Sequence, residues 1–164
     1  MRPGEELRYL ILAAQREGNR SLAHALRRFN LTPAWAEVLM ILAERSPLSV
    51  KQLGNLLVCE SDHPSRLAER MVRAGLLERR VMAQDKRAVF LSMSPRAKSV
   101  LKEIKAIDDD MYHMLEEALS KIEMATTVEA LRTLVEDSPT GHALERRKHH
   151  QENQALPLPN EFRV

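Results

Sequence analysis

Arg66, Arg70 and Arg73 stand at positions i, i+4 and i+7, a spacing that puts three guanidinium groups on one face of a helix. A second charged group, Asp85, Lys86 and Arg87, follows inside the polar stretch "AQDKR". Guanidinium groups are planar and permanently charged, and they suit phosphate oxygens and the edges of bases. Cations clustered on a helix and again on a nearby turn suggest binding to a polyanion. Bond-making chemistry would need other residues: five glycines form no phosphate-cradling loop, and no nucleophile stands with a base and an orienting group. An enzyme is therefore not expected. His113 lies near Asp109, Asp110, Glu116 and Glu117, and His149-His150 lie further on, but no pair has the i, i+4 spacing of a helical zinc site. Neither metal nor cofactor is expected.

The 164 residues suit one domain, or one domain with a tail. Apolar residues make up 44% of the chain, enough for a core, while aromatics at 4% are too few for stacking platforms that hold single strands. No apolar run approaches the roughly 18–20 residues of a membrane span. The opening "MRPGEELRYL" has no signal-peptide pattern, and the single cysteine, Cys59, fits a reducing cytoplasm. The net charge of +2 hides an uneven distribution. Residues 47–98 carry ten Lys/Arg against five Asp/Glu, whereas residues 99–137 carry four against ten. The basic segment is the one that suits phosphates.

Most of the chain has helical periodicity. Leu7, Leu10, Ile11, Ala14, Leu22, Leu26 and Phe29 mark a first helix, with Gly18 at its middle as a place for a kink or a close helix approach. Thr32-Pro33 is an N-cap and first-turn pair for "LTPAWAEVLMILAER", whose buried stripe is Trp35, Val38, Leu39 and Leu42. Ser49 and Gln52 have capping-box spacing at the start of "SVKQLGNLL". "SDHPSRLAERMVRAG" reads as a further helix with Leu67 and Met71 inward and Gly75 just past its end. Two short helices joined by a turn form a helix-turn-helix.

Leu76–Met82 and Ala88–Met93 then read as two strands around the turn "AQDKR". A hairpin directly after a helix-turn-helix makes a winged helix. A two-stranded ribbon is marginal alone and must lie against the helices, which leaves its tip projecting. Lys86 and Arg87 there suit a DNA backbone or minor groove, and Asp85 is placed to pair across the tip and aim the guanidinium of Arg87. Ser94-Pro95 caps a long helix in which Ala97, Leu101, Ile104, Ile107, Met111, Met114 and Ala118 form an a/d seam over about three heptads. Ile122, Ala125, Val128, Leu131 and Val135 mark a last amphipathic helix. The fold expected is mainly α with a small β-hairpin wing: a winged helix-turn-helix lobe over 31–94, dimerisation helices over 1–30 and 95–137, and a flexible or loosely docked tail over 138–164.

The segments "LTPAWAEVL", "PLSVKQLGNLL", "SRLAERMVRAGLLERR", the wing "DKRAVFLSMSP" and the helix from Pro95 together resemble the MarR family of bacterial transcription regulators over roughly Leu7 to Asp137. The resemblance implies a cytoplasmic, nucleoid-associated homodimer with interlocked first and last helices, reading a pseudo-palindromic operator in double-stranded DNA. Many family members are repressors released by a small ligand or by oxidation. Ser65 and Arg66 match the family's "S-R" in the recognition helix, Arg87 matches the wing arginine, and Asp85 matches its partner. Arg70 and Arg73 are better suited to phosphates than to bases. An effector pocket is implied between the dimer helices and the DNA-binding lobe. Arg16, Arg20, His24 and Trp35 are candidates there for a small anionic or aromatic effector, or else surface ion-pair residues and a core tryptophan.

The start of the recognition helix departs from the family. "CESDHPS" puts Glu60 where a small cap usually stands, and His63-Pro64 replaces a threonine and β-branched pair. Proline disfavours helix at the residue before it, so a late start capped by Asp62 or His63 is expected. Capping alone, or base readout by Asp62 or His63, both fit. Cys59 is either a buried structural residue or a redox switch, though the chain lacks the N-terminal cysteine of the family's peroxide sensors. "ERRKHH", Glu145 to His150, is either a DNA-binding arm or a solvated tail. A rival to operator binding is a winged-helix module that works through protein contacts, which Glu60 and Asp62 would suit.

Overall fold

A computed structural model describes residues 1–59, 63–82 and 85–155, and of residues 81–82, 85–88 and 150–155 it describes the backbone alone. Helix α1 spans Pro3–Leu26 and ends in a 3-10 turn, Arg27–Phe29. Helix α2 is Pro33–Arg45, strand β1 is Leu48–Ser49, and α3 is Val50–Gly54. The order continues with α4 (Pro64–Arg73), β2 (Leu77–Met82), β3 (Asp85–Met93), α5 (Pro95–Ala118), α6 (Met124–Thr133) and α7 (Pro139–Ala155).

Local signals set these boundaries. Thr32 Oγ1 accepts from the Trp35 amide at 3.2 Å. Ser49 and Gln52 exchange both bonds of a capping box, at 3.2 and 2.8 Å. Ser94 Oγ accepts from the Ala97 amide at 3.1 Å, ahead of Pro95 in the first turn of α5. Helix α4 closes in a Schellman motif: Gly75 N–H donates to Val72 and Leu76 N–H to Met71. Gly75 takes the left-handed conformation this requires, with φ +69°.

The sheet has three antiparallel strands in the order β1-β3-β2. The hairpin is thus joined by a third strand that was not anticipated, with Leu48 opposite Leu91. Leu77 pairs with Met93 and Met82 with Asp85. Asp85 to Arg87 therefore have backbone in β3, where the sequence suggested the turn.

The core collects Leu26 from α1, Val38, Leu39 and Leu42 from α2, Leu53 and Leu57 around α3, Met71 from α4, Leu91 from β3 and Ile104 from α5, all with 0–1% exposure. Burying each such side chain contributes roughly 1.5–3 kcal/mol. Every element from α1 to α5 meets in this one cluster, so the wing and both short helices are seated on a common base.

Three expectations change. Helix α1 runs unbroken through Gly18, and nothing lies within 4 Å of where a Cβ would be. The heptad seam of α5 divides: Ala97 and Ile104 are buried in the chain's own core, with Leu101 and Ile107 packed against it, while Met114 is 56% exposed. The tail expected over 138–164 is helical over Pro139–Ala155, where Ser138 Oγ accepts from the Gly141 amide at 3.0 Å and caps α7. Residues 156–164 lie outside the described residues. No helix among the described residues is long and apolar enough to cross a membrane.

Candidate nucleic-acid interface

Helix α4 has one buried face and one open face. Leu67, Ala68 and Met71 go into the core, which leaves Ser65, Arg66, Glu69, Arg70 and Arg73 exposed. The helix begins late, with His63 at the N-cap position and Pro64 at N1. His63 is exposed but its side chain makes no capping hydrogen bond. Capping by His63 is thereby corrected: its backbone, at φ −146° and ψ 73°, leaves the imidazole off the helix amides. Glu60 and Asp62, the other candidates for cap or base reader, lie outside the described residues.

The arginines are not equivalent. Arg73 is engaged by Glu69 at 2.6 Å, and that pairing holds the Glu69 carboxyl below its usual range. Arg66 and Arg70 have no hydrogen-bonding or ion-pair partner among the described residues. Two open guanidinium groups and a hydroxyl on the rim of a well-seated helix can take phosphate oxygens and base edges without first breaking an ion pair. Arg79 is also exposed on β2, and Arg80 beside it is engaged by Glu78 at 3.2 Å. The side chains of Asp85, Lys86 and Arg87 lie outside the described residues, so the expected pairing of Asp85 with Arg87 stays an expectation.

The far end of α4 is tied to α5. Ser94 Oγ donates to the Gly75 carbonyl at 2.7 Å, Ser94 N–H donates to Leu76 O at 2.9 Å, and the Arg96 guanidinium donates to Ala74 O at 2.8 Å. Sequence reasoning found Ser94 as a cap and missed this second role, along with Arg96. An N-cap motif reports on its own helix and carries no signal for a partner nineteen residues upstream.

The four effector candidates do not meet. Arg16 and Arg20 line a shallow depression on α1 with Tyr9 and Leu12, and Arg20 is paired to Glu17 at 2.7 Å. Trp35 borders a different hollow with Asn19, Cys59 and Arg70, and His24 lines neither. A narrower cleft of about 290 Å³ opens between α1, α2 and α5, with Leu22, Pro33, Met40, Asp108, Met111 and Tyr112 in its walls. Burial, with Asp109 adjacent, raises the Asp108 carboxyl there.

Cys59 is exposed, which corrects the expectation of a buried residue. Enough protein still surrounds the sulfur that desolvation, reinforced by Glu37, pushes its thiol from 9.0 up to about 11. Glu37 was invisible to sequence reasoning because it comes from α2, twenty-two residues earlier. Among the described residues no three His, Cys, Asp or Glu side chains are grouped to hold a metal.

Comparison with known proteins agrees with this geometry. Residues 31–97 match the winged helix DNA-binding domain family. The organic hydroperoxide resistance transcriptional regulator of Bacillus subtilis is 31% identical over 108 residues, covering 66% of this chain and 72% of that protein. The HTH-type transcriptional regulator MgrA of Staphylococcus aureus is 29% identical over 106 residues, covering 64% and 72%. Among solved structures, a mutant MarR from E. coli complexed with operator DNA superposes with TM-score 0.69 at 22% identity, over 79% of this chain and 94% of that one. The transcriptional repressor CouR bound to a 23-mer DNA duplex gives 0.68 at 20% identity, over 80% and 93%.

Proposed function

The chain belongs to the MarR family of winged-helix transcription regulators, and we propose that it acts as a homodimeric, ligand-released repressor of operators in the bacterial cytoplasm. The observation that carries the reading is the open face of α4, where Arg66 and Arg70, beside Ser65, have no partner among the described residues. In this reading α4 enters the major groove, Ser65 and Arg66 reach base edges, and Arg70 and Arg73 hold phosphates. His63 stands at the groove-facing start, and Lys86 and Arg87 of the wing take the backbone or minor groove.

The dimer is supported by apolar surface that stays exposed among the described residues. Leu10 on α1 is 59% exposed, Met114 on α5 56%, and Leu134 at the C-cap of α6 58%. Exposed apolar residues spread over three helices mark an association surface. Ligand control is assigned to the cleft between α1, α2 and α5, because a molecule seated there touches both the association helices and the DNA-binding lobe. Arg16, Arg20, His24 and Trp35 are not retained as one site.

The Bacillus relative's name raises control by hydroperoxide as a second reading. The raised thiol of Cys59 speaks against it here, since oxidation starts from the thiolate.

Selection from randomised duplexes tests the proposal. The expected product is a pseudo-palindrome whose half-sites are centred about one helical turn, roughly 10 base pairs, apart. Its half-site is also expected to differ from the motif common in the family, because "HPS" replaces the usual helix start. Failure to enrich any two-fold sequence would count against operator binding by a dimer.

A further inference from the structure

Helix α7 lies against the turn that leads into the recognition helix. Gly141 permits its close return from α6: a Cβ there would fall 2.0 Å from the Val135 carbonyl oxygen. Glu145 pairs with Arg132 of α6 and fixes the helix along its length. Two residues on, Arg147 reaches into the lobe. Its Nε donates to the Leu56 carbonyl at 2.7 Å, and its Nη2 donates to the Glu37 carboxylate. Arg146 Nε donates to the Asn55 carbonyl at 2.8 Å. In return Arg45 of α2 donates to the Arg147 carbonyl at 2.9 Å.

Glu37 is the pivot. Its two carboxylate oxygens accept the Val58 and Cys59 amides, each at 2.9 Å. Those amides belong to the segment between α3 and α4, where the chain leaves one helix of the pair and heads for the other. The side chain of Glu37 is only 8% exposed, so its charge needs a partner, and Arg147 is that partner. Carbonyls of residues 55 and 56 and amides of residues 58 and 59 are thus all held by one charged group from α2 and two from α7. Four backbone groups of the turn that follows α3 are held in this way.

We infer that Arg147 is a positioning residue for DNA recognition: through Glu37 it holds the 55–59 turn, and so sets the approach of α4 to the groove. The inference rests on the reading that α4 binds operator DNA. It also gives α7 a task as an internal brace, in place of a DNA-binding arm.

The experiment compares wild type, Arg147→Ala, Arg147→Lys and Lys148→Ala, all as full chains. Lys148→Ala removes the same charge from the same helix without touching the turn. Two quantities are read: the ratio of affinity for the selected duplex to that for a scrambled one, and hydrogen exchange at the Val58 and Cys59 amides. Arg147→Ala is expected to lower the affinity ratio by roughly tenfold and to speed exchange at both amides, as loss of a charge-assisted hydrogen bond would. Lys148→Ala is expected to leave both readings at wild-type values. Arg147→Lys, which keeps the charge and loses the fork, is expected to fall between, and it supplies the reading if the alanine variant does not fold. Equal affinity ratios and equal exchange in the Arg147 and Lys148 variants would overturn the inference. If wild type shows no preference for any duplex, the DNA-binding reading falls, and amide exchange alone decides whether Arg147 holds the turn.

Discussion

At Cys59 the decisive quantity is the thiolate fraction. With the thiol near 11, only about one molecule in ten thousand carries a thiolate at pH 7. The folded value lies above the ordinary one of 9.0, so protonated Cys59 favours the fold at neutral pH and that contribution fades as pH rises from 9 towards 11. Alkylation by iodoacetamide should therefore be slow at pH 7 and accelerate towards pH 11, and mild peroxide should leave operator binding unchanged. A fast reaction at pH 7 accompanied by loss of binding would revive the redox reading. The arginines show a comparable limit on what residue type conveys. Helical spacing put Arg66, Arg70 and Arg73 together on one face, and all three are exposed there. That Glu69 would engage Arg73 and leave the other two open depends on rotamers, which spacing alone does not reveal.

Helix starts were the most legible elements, because a cap is a short-range pattern. Thr32, Ser49 with Gln52, and Ser94 were all readable from residues within three positions. The same Ser-Pro signal stands at Ser138-Pro139, yet the polar, proline-containing segment after it argued for a tail. Its helix is held mainly by arginine contacts to residues about 90 positions away, which no local pattern reports. Strand β1 was missed for a related reason: two residues have no period, and only their pairing with Phe90 and Leu91 makes them a strand. Ser94 joins two elements, and that gives a prediction. Ser94→Ala removes the cap of α5 and also leaves the Gly75 carbonyl without its hydroxyl donor. Its cost in urea denaturation should be about 2–3 kcal/mol, against about 1 kcal/mol for Thr32→Ala, which loses a cap alone. Equal costs would mean that the Ser94–Gly75 bond contributes nothing to the tie between α4 and α5.

Across the whole molecule, the winged-helix lobe was legible because its core, caps and turns agree at short range. The surface proposed for dimerisation was legible only as a period. A heptad seam says that α5 packs against something, and the structure assigns its first half to the chain's own core. The exposed remainder, with the apolar faces of α1 and α6, is what a second copy would cover. Charge follows the same division, with the basic segment over 47–98 in the lobe and the acidic one over 99–137 in the region of α5 and α6. In the proposed complex, such a layout would favour DNA at the lobe over the helices.

The most direct test of the central claim is a salt series of fluorescence anisotropy titrations on the selected duplex and a scrambled one, with wild type and Arg66→Ala. The account predicts steep salt dependence, with a slope of about −0.9 for each phosphate neutralised. It also predicts that Arg66→Ala weakens binding to the selected duplex by roughly tenfold, about 1.4 kcal/mol, while hardly changing binding to the scrambled one. Equal affinity for both duplexes, or binding indifferent to salt and to Arg66, would contradict it.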